Sequence, residues 1–159
     1  MIRCSVIAGS TILMTSVSLR IAEHHESEAI ADLFARSRAA ALPFLPILHS
    51  RDEDIAFFGG YIARRQMTLA IVDGQIAGFL AQTPGWIEQL YLDPRQRRRG
   101  VGRLFLDHAK ATHLDLHLWC FEENIAARKF YAAQGFVEQR RTNGDNEAGL
   151  PDILFRWQR

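Results

Sequence analysis

The chain has 159 residues, 48% of them hydrophobic and 23% charged, with a formal net charge of +1. That length suits one domain with a real core, and the near-neutral balance points to neither a nucleic-acid partner nor an anionic membrane surface. No run of about eighteen apolar residues offers a transmembrane helix. Cys4 and Cys120 lie too far apart for a paired or metal-ligand spacing, which favours a reducing, cytoplasmic setting, with Cys120 as a small buried hydrophobe.

In chain order, residues 1–13 are mildly apolar, broken by Gly9, Ser10 and Thr11, with no convincing cleavage site. Residues 17–22 alternate as a strand. Residues 27–40 form an alanine-rich amphipathic helix with Ile30, Leu33 and Phe34 on one face. An apolar loop interrupted by Pro43 and Pro46 follows, then a helix over 52–64. Strands at 68–72 and 75–81 flank Asp73-Gly74, a favoured two-residue hairpin turn. Residues 86–92 read as a strand covered on both faces, ended by Asp93-Pro94 because proline cannot donate to a ladder.

Arg97, Arg98, Arg99, Gly100, Val101, Gly102 and Arg103 come next, at the start of a helix whose apolar stripe is Val101, Leu104, Phe105 and Ala109. Free N–H groups at that helix start, glycines that allow close approach and clustered guanidinium groups make a seat for a pyrophosphate. The segment lacks the Gly-Lys-Ser/Thr of a P-loop and the glycine spacing of a dinucleotide fingerprint. An exposed basic turn could carry the same residues. A strand over 114–121 and a second helix follow, opened by Asn124 as N-cap and closed by Gly135. Asn124, Ala127 and Tyr131 share one stripe of that helix. Residues 136–141 and 153–157 are closing strands around a polar loop, 142–151.

Arg97-x-x-Gly100-x-Gly102 matches the acyl-CoA pyrophosphate signature of the GNAT superfamily of N-acetyltransferases. Asn124-x-x-Ala127-x-x-x-Tyr131-x-x-x-Gly135-Phe136 resembles that superfamily's second motif, and both stand in the right order. The resemblance implies an α/β (α+β) GNAT fold: a mixed, mostly antiparallel sheet of about seven strands, splayed between the fourth and fifth and flanked by about four helices. GNAT chains open with a methionine just before strand one. Residues 1–13 are therefore expected to be an extension from a misassigned start, with the domain at 14–159.

The resemblance also implies chemistry. An acetyl group would pass from acetyl-CoA directly to a primary amine with both substrates bound, and no metal would take part. The N–H of Leu90 would face the acetyl carbonyl, and Leu92, with Tyr91 between them, would hold the pantetheine. Arg97 to Arg103 would hold the pyrophosphate, and Asn124 and Ala127 would lie along the cofactor arm. Tyr131 would protonate the leaving sulfur. Glu88 is expected on the same strand face as Leu90 and Leu92, as general base or as a structural carboxylate.

The acceptor would enter between the first two helices and the last loop. Phe44, His49 and Phe57 are candidate contacts on one side, Glu147 on the other, with Asp145 and Asp152 beside it; an acidic rim with an aromatic wall would suit a cationic amine. Core phenylalanines and a solvated acidic loop would show the same pattern. His113, Asp115 and His117 could share a strand face, superficially like a metal site. The expected partners are a small-molecule or peptide amine and a second copy of the chain as a homodimer. Acetylation of proteins or aminoacyl-tRNA, and non-enzymatic sensing of acyl-CoA, are the alternatives; the absence of a basic stripe disfavours tRNA.

Overall fold

The computed structural model describes residues 16–159. The chain order is β1 (Val17–Ile21), α1 (Ser27–Ala41), α2 (Arg51–Ala63), β2 (Met67–Val72), β3 (Gln75–Thr83) and β4 (Trp86–Leu92). There follow α3 (Val101–Thr112), β5 (Asp115–Phe121), α4 (Ile125–Ala133), β6 (Val137–Thr142) and β7 (Asp152–Gln158). One-turn 3-10 helices stand at His24–Glu26 and Pro94–Gln96. Order and type agree with the sequence reading, with ends shifted by a residue or two. The expected extension, its boundary at Met14, and Cys4 lie outside the described residues.

All seven strands form one sheet in the order β1-β2-β3-β4-β5-β7-β6. Neighbours run antiparallel except β4 and β5. Asp73 and Gly74 both have positive φ, 50° and 76°, the twist that a two-residue hairpin between β2 and β3 requires. The parallel pair is brief. Its register holds at Trp86 and His117 alone, helped by the His117 N–H donating to the Gly85 carbonyl at 2.9 Å. Past that point the strands part, as the resemblance implied.

The sheet is covered on both faces because β3 alternates two kinds of inward residue. Phe79 and Ala81 join Phe58, Tyr61, Ile30 and Leu33 under α1 and α2. Leu80 joins Phe105, Leu106, Leu116, Leu118 and Phe155 on the face covered by α3 and α4. Each such side chain, fully buried, contributes about 1.5–3 kcal/mol. In the first cluster Phe34, Phe58 and Phe79 meet edge to face, with centroids 5.2 and 5.1 Å apart. Packing corrects one detail of α3: Leu104 is among the exposed hydrophobics, while Leu106 is fully buried with Val101, Phe105 and Ala109. Positions 101, 105 and 109 form a ridge at i+4 spacing; 106 flanks it on the inner side and 104 falls beyond it. Among the described residues no helix is long and apolar enough to cross a membrane.

Candidate functional site

The site begins where β4 ends. Asp93 is almost fully buried. Its Oδ1 accepts from the Arg95 backbone N–H at 2.9 Å and from Arg95 Nε at 3.0 Å. Its Oδ2 accepts from Arg95 Nη2 at 2.9 Å and Arg36 Nη2 at 3.3 Å. Hydrogen bonding from Arg95, more than any other cause, holds this carboxyl well below the usual carboxylate range. The turn so fixed leads to Gly100, the N-cap of α3, at φ 79°, a left-handed conformation that disfavours any side chain. Helical bonding starts with Leu104 N–H to the Gly100 carbonyl at 3.0 Å. The N–H groups of Val101, Gly102 and Arg103 are thus left without an intrahelical acceptor, the arrangement that suits an anion.

A cavity of about 550 Å3 runs from this helix start, lined by Arg97, Arg98, Gly100, Gly102 and Arg103 at one end and by Leu90, Asn124, Ala127 and Tyr131 at the other. A Cβ on Gly102 would stand 3.1 Å from Phe130 Cζ, so that glycine keeps the wall low. Cavity, open N–H groups and guanidinium groups together fit a CoA pyrophosphate and its arm. Arg97 also donates to the Ser37 carbonyl of α1 at 3.3 Å. Arg99 does not line the cavity, and the Val101 side chain belongs to the core.

The gap between β4 and β5 makes a second cavity of about 440 Å3. Ile87 to Tyr91 form one wall and Leu118 to Phe121 the other, and Asn124, Ala127 and Tyr131 are shared with the first cavity. Burial drives the Tyr131 phenol well above its ordinary value, so it stays protonated at neutral pH, and its place in both cavities rather than its acidity makes it a candidate donor. The same cause pushes the Cys120 thiol up to about 12, which leaves it a poor nucleophile. Asn124 Oδ1 caps α4 by accepting from the Ala127 N–H at 3.2 Å, leaving its amide NH2 for the cavity. Tyr91 turns its ring into the core against Phe34, with centroids 4.9 Å apart.

Glu88 lines the gap, but its expected alternation with Leu90 and Leu92 fails. Pairing with β3 slips between Ala81 and Gln82, so that Gln89 faces Ala81 while Ile87 faces Gln82 and Glu88 is the extra residue. Ile87 on one side of this bulge and Leu90 and Leu92 on the other all pack against one cluster, because an inserted residue reverses the period-two alternation. The Glu88 charge is instead felt by Tyr61 of the opposite cluster. Its Oε1 accepts from Thr83 Oγ1 at 2.5 Å.

A third cavity, about 220 Å3, opens beside the second and shares Phe121 and Asn146 with it. His49 Nε2 and Glu147 Oε1, 2.8 Å apart, join the α1–α2 loop to the β6–β7 loop across it. That hydrogen bond raises the His49 imidazole above its ordinary value. Phe44 stacks edge-on to Phe121 at 6.2 Å. Phe57 is not brought to the site; it packs on Phe58 and Tyr61 and remains half exposed. Asp145 and Asp152 line the gap itself, and Asp152 is held by Thr142 Oγ1 and by Asn146 Nδ2.

The histidines have structural occupations. His113 Nδ1 lies 2.9 Å from the Ala109 carbonyl, Asp115 is gripped by Arg156 at 2.6–3.1 Å, and His117 stacks on Trp86 at 5.1 Å. Among the described residues no cluster of His, Cys, Asp or Glu could hold a metal. Leu42, Ser37, Phe130, Trp119 and Asn146 line the groove without having been singled out. Phe130 lies inside the Asn124–Phe136 motif, next to Tyr131, and that position is the one signal that could have found it; Trp119, in β5, carried none.

Comparison with known proteins agrees with this geometry. Residues 63–138 match the family model of the acetyltransferase (GNAT) domain. The chain is 29% identical over 140 residues to the peptidyl-lysine N-acetyltransferase YiaC of Escherichia coli, covering 87% of this chain and 95% of that one. It is 28% identical over 141 residues to the E. coli peptidyl-lysine N-acetyltransferase YjaB, 87% and 94% covered. The solution structure of apo YjaB from E. coli superposes with a TM-score of 0.76 at 26% identity, over 89% of this chain and 97% of that one. The PaiA N-acetyltransferase of Thermoplasma acidophilum, solved in complex with coenzyme A, has the same fold, with a TM-score of 0.72 at 18% identity over 91% and 99%.

Proposed function

We propose, for a chain that belongs to the GNAT superfamily and is an acyltransferase, that it moves an acetyl group from acetyl-CoA to the side-chain amine of a lysine in a peptide or protein. The observation that carries this reading is the continuity of the groove: an anion seat at α3, a gap between β4 and β5, and a third cavity bordered by His49, Asp54 and Glu147. The names of YiaC and YjaB, matched over most of their length, favour peptidyl lysine over a small amine. The reading carries with it a cytoplasmic setting, where acetyl-CoA and unmodified lysines meet, and a domain beginning near Met14.

In this reading the N–H groups at Val101, Gly102 and Arg103, with Arg97 and Arg98, hold the pyrophosphate. Acetyl-CoA supplies the activated acyl group. The Leu90 N–H faces the acetyl carbonyl, where a preorganised donor lowers the barrier as negative charge develops on oxygen. Tyr131, kept protonated by burial, delivers its proton to the departing sulfur and regains one from the proton that the attacking nitrogen sheds as the amide forms. Glu88 takes the proton that the lysine ammonium must lose before it can attack, directly or through water. Cys120, protonated and buried, plays no covalent part.

The test is incubation with labelled acetyl-CoA and a panel of lysine peptides, each with its α-amine blocked, beside small amines. Label on lysine side chains is the expected result. Label confined to small amines would overturn the peptide reading, and binding of CoA without any transfer would overturn the enzymatic one.

A further inference from the structure

The third cavity holds a carboxylate that the transfer chemistry does not use. Asp54, in the first turn of α2, lines it together with Phe34, Leu45, Leu48 and Phe121. Among the described residues no ion pair or hydrogen bond engages its side chain, and burial is the main cause that lifts its carboxyl above the ordinary value. Cations stand near, but each is committed elsewhere. Arg38 donates to the carbonyls of Leu45 and Pro46 at 3.2 and 2.7 Å, and His49 is paired with Glu147. The neighbouring Glu53 turns back to cap α2, accepting from the Ser50 N–H at 2.7 Å.

A partly desolvated, unpaired carboxylate on an apolar wall is costly unless something cationic comes to it. An aliphatic stem bearing a positive head matches such a cavity, as lysine and arginine side chains do. That cation is not the amine under attack. Glu88, not Asp54, lines the β4–β5 gap where that amine must lose its proton. The cavity also lies beside the β4–β5 gap, not within it, sharing only Phe121 and Asn146 with it.

We propose that Asp54 forms a second cation subsite, which takes a lysine or arginine side chain flanking the lysine to be acetylated, so that the preferred acceptors carry neighbouring basic residues. This rests on the lysine acetyltransferase reading above. It adds a sequence preference to it.

The experiment compares two peptides, one with a lysine beside the acceptor lysine and one with norleucine there, on wild type, Asp54→Asn and Asp52→Asn. Asp52 stands exposed in the same helical turn and controls for loss of charge alone. Wild type and Asp52→Asn should favour the dibasic peptide in kcat/KM by on the order of tenfold to a hundredfold, the range for a charge-assisted contact. In Asp54→Asn the ratio should fall to near one. A ratio unchanged by Asp54→Asn overturns the proposal, as does a fall of equal size for both peptides, which is what a distant counter-charge to Arg38 would give. A third peptide keeps the flanking lysine and replaces the acceptor lysine with norleucine; its binding to CoA-loaded protein is followed by fluorescence anisotropy. If no lysine peptide is acetylated yet this peptide still binds in an Asp54-dependent way, the acetyltransferase reading falls and the cation subsite stands. Equal affinity for wild type and Asp54→Asn overturns the subsite whatever the turnover.

Discussion

Removing the Asp93 carboxylate tests whether the turn after β4 is held as the structure shows. Asp93→Ala deletes the acceptor of the Arg95 backbone N–H, a cap worth about 1 kcal/mol. It also deletes the contacts from Arg95 and Arg36, whose side chains are 73% and 50% exposed; solvent screens such pairs to about 1 kcal/mol or less each. The sum, about 2 kcal/mol, should lower Tm by ~4–8 °C in a chain of this size. Asp93→Asn keeps one acceptor oxygen and should lose about half as much. The pH dependence has a definite sign. A carboxyl depressed in the folded state stabilises fully above its unfolded value, near 3.9, and that contribution is lost as pH falls toward the folded value. Thermal melts of wild type and Asp93→Ala should therefore differ by a constant amount above about pH 5 and converge below about pH 4. CoA affinity should fall as well, since the same turn aims Arg97 and Gly100. A Tm within about 1 °C of wild type at neutral pH, against the cap term alone, or a gap that widens in acid, would refute the reasoning.

Gly102→Val places a branched side chain where even a Cβ meets Phe130 Cζ at 3.1 Å; calorimetry should show CoA binding weakened by about 5- to 150-fold, from overpacking of about 1–3 kcal/mol. Undiminished affinity would remove the pyrophosphate seat from the α3 start. Tyr131→Phe should leave CoA affinity nearly intact and lower kcat by ~10²–10⁴-fold; full turnover on a lysine peptide would make the phenol a core aromatic only. Glu88→Gln should also lower kcat, with a defect that shrinks at high pH as more acceptor lysine becomes neutral. A defect that is constant with pH would favour a structural role through Thr83.

The order of elements was legible because each rests on a local signal: alternation in β1, the Asp73-Gly74 turn, Asn124 and Gly135 at the two ends of α4. The glycine- and arginine-rich start of α3 was legible for the same reason, being a contiguous run from Arg97 to Arg103. The bulge at Glu88 was not. Whether a residue is extra depends on what stands across from it in β3, and no pattern within β4 alone reports that. Leu104 was misplaced because a helix stripe drawn from apolar spacing cannot say which side of a ridge the sheet covers. Asp54 and Ser37 escaped notice for a third reason. Their relevance comes from α1 and α2 being laid across the mouth of a gap opened elsewhere in the chain.

The lone rung between β4 and β5 leaves inside the molecule what most proteins keep at their rim, a sheet edge with unpaired N–H and C=O groups. At a rim such an edge invites the strands of other proteins and must be blunted by charge or bulges. Recessed in a cleft, it is shut to another sheet and admits a thin chain bearing amides of its own. Amide hydrogens along the gap-facing side of β4 should accordingly exchange with solvent at the pace of an edge, while those in β3 exchange at the pace of a core. The middle of this sheet is then its most sparsely bonded seam, and an arm bound there would act as a temporary strand that joins the two halves.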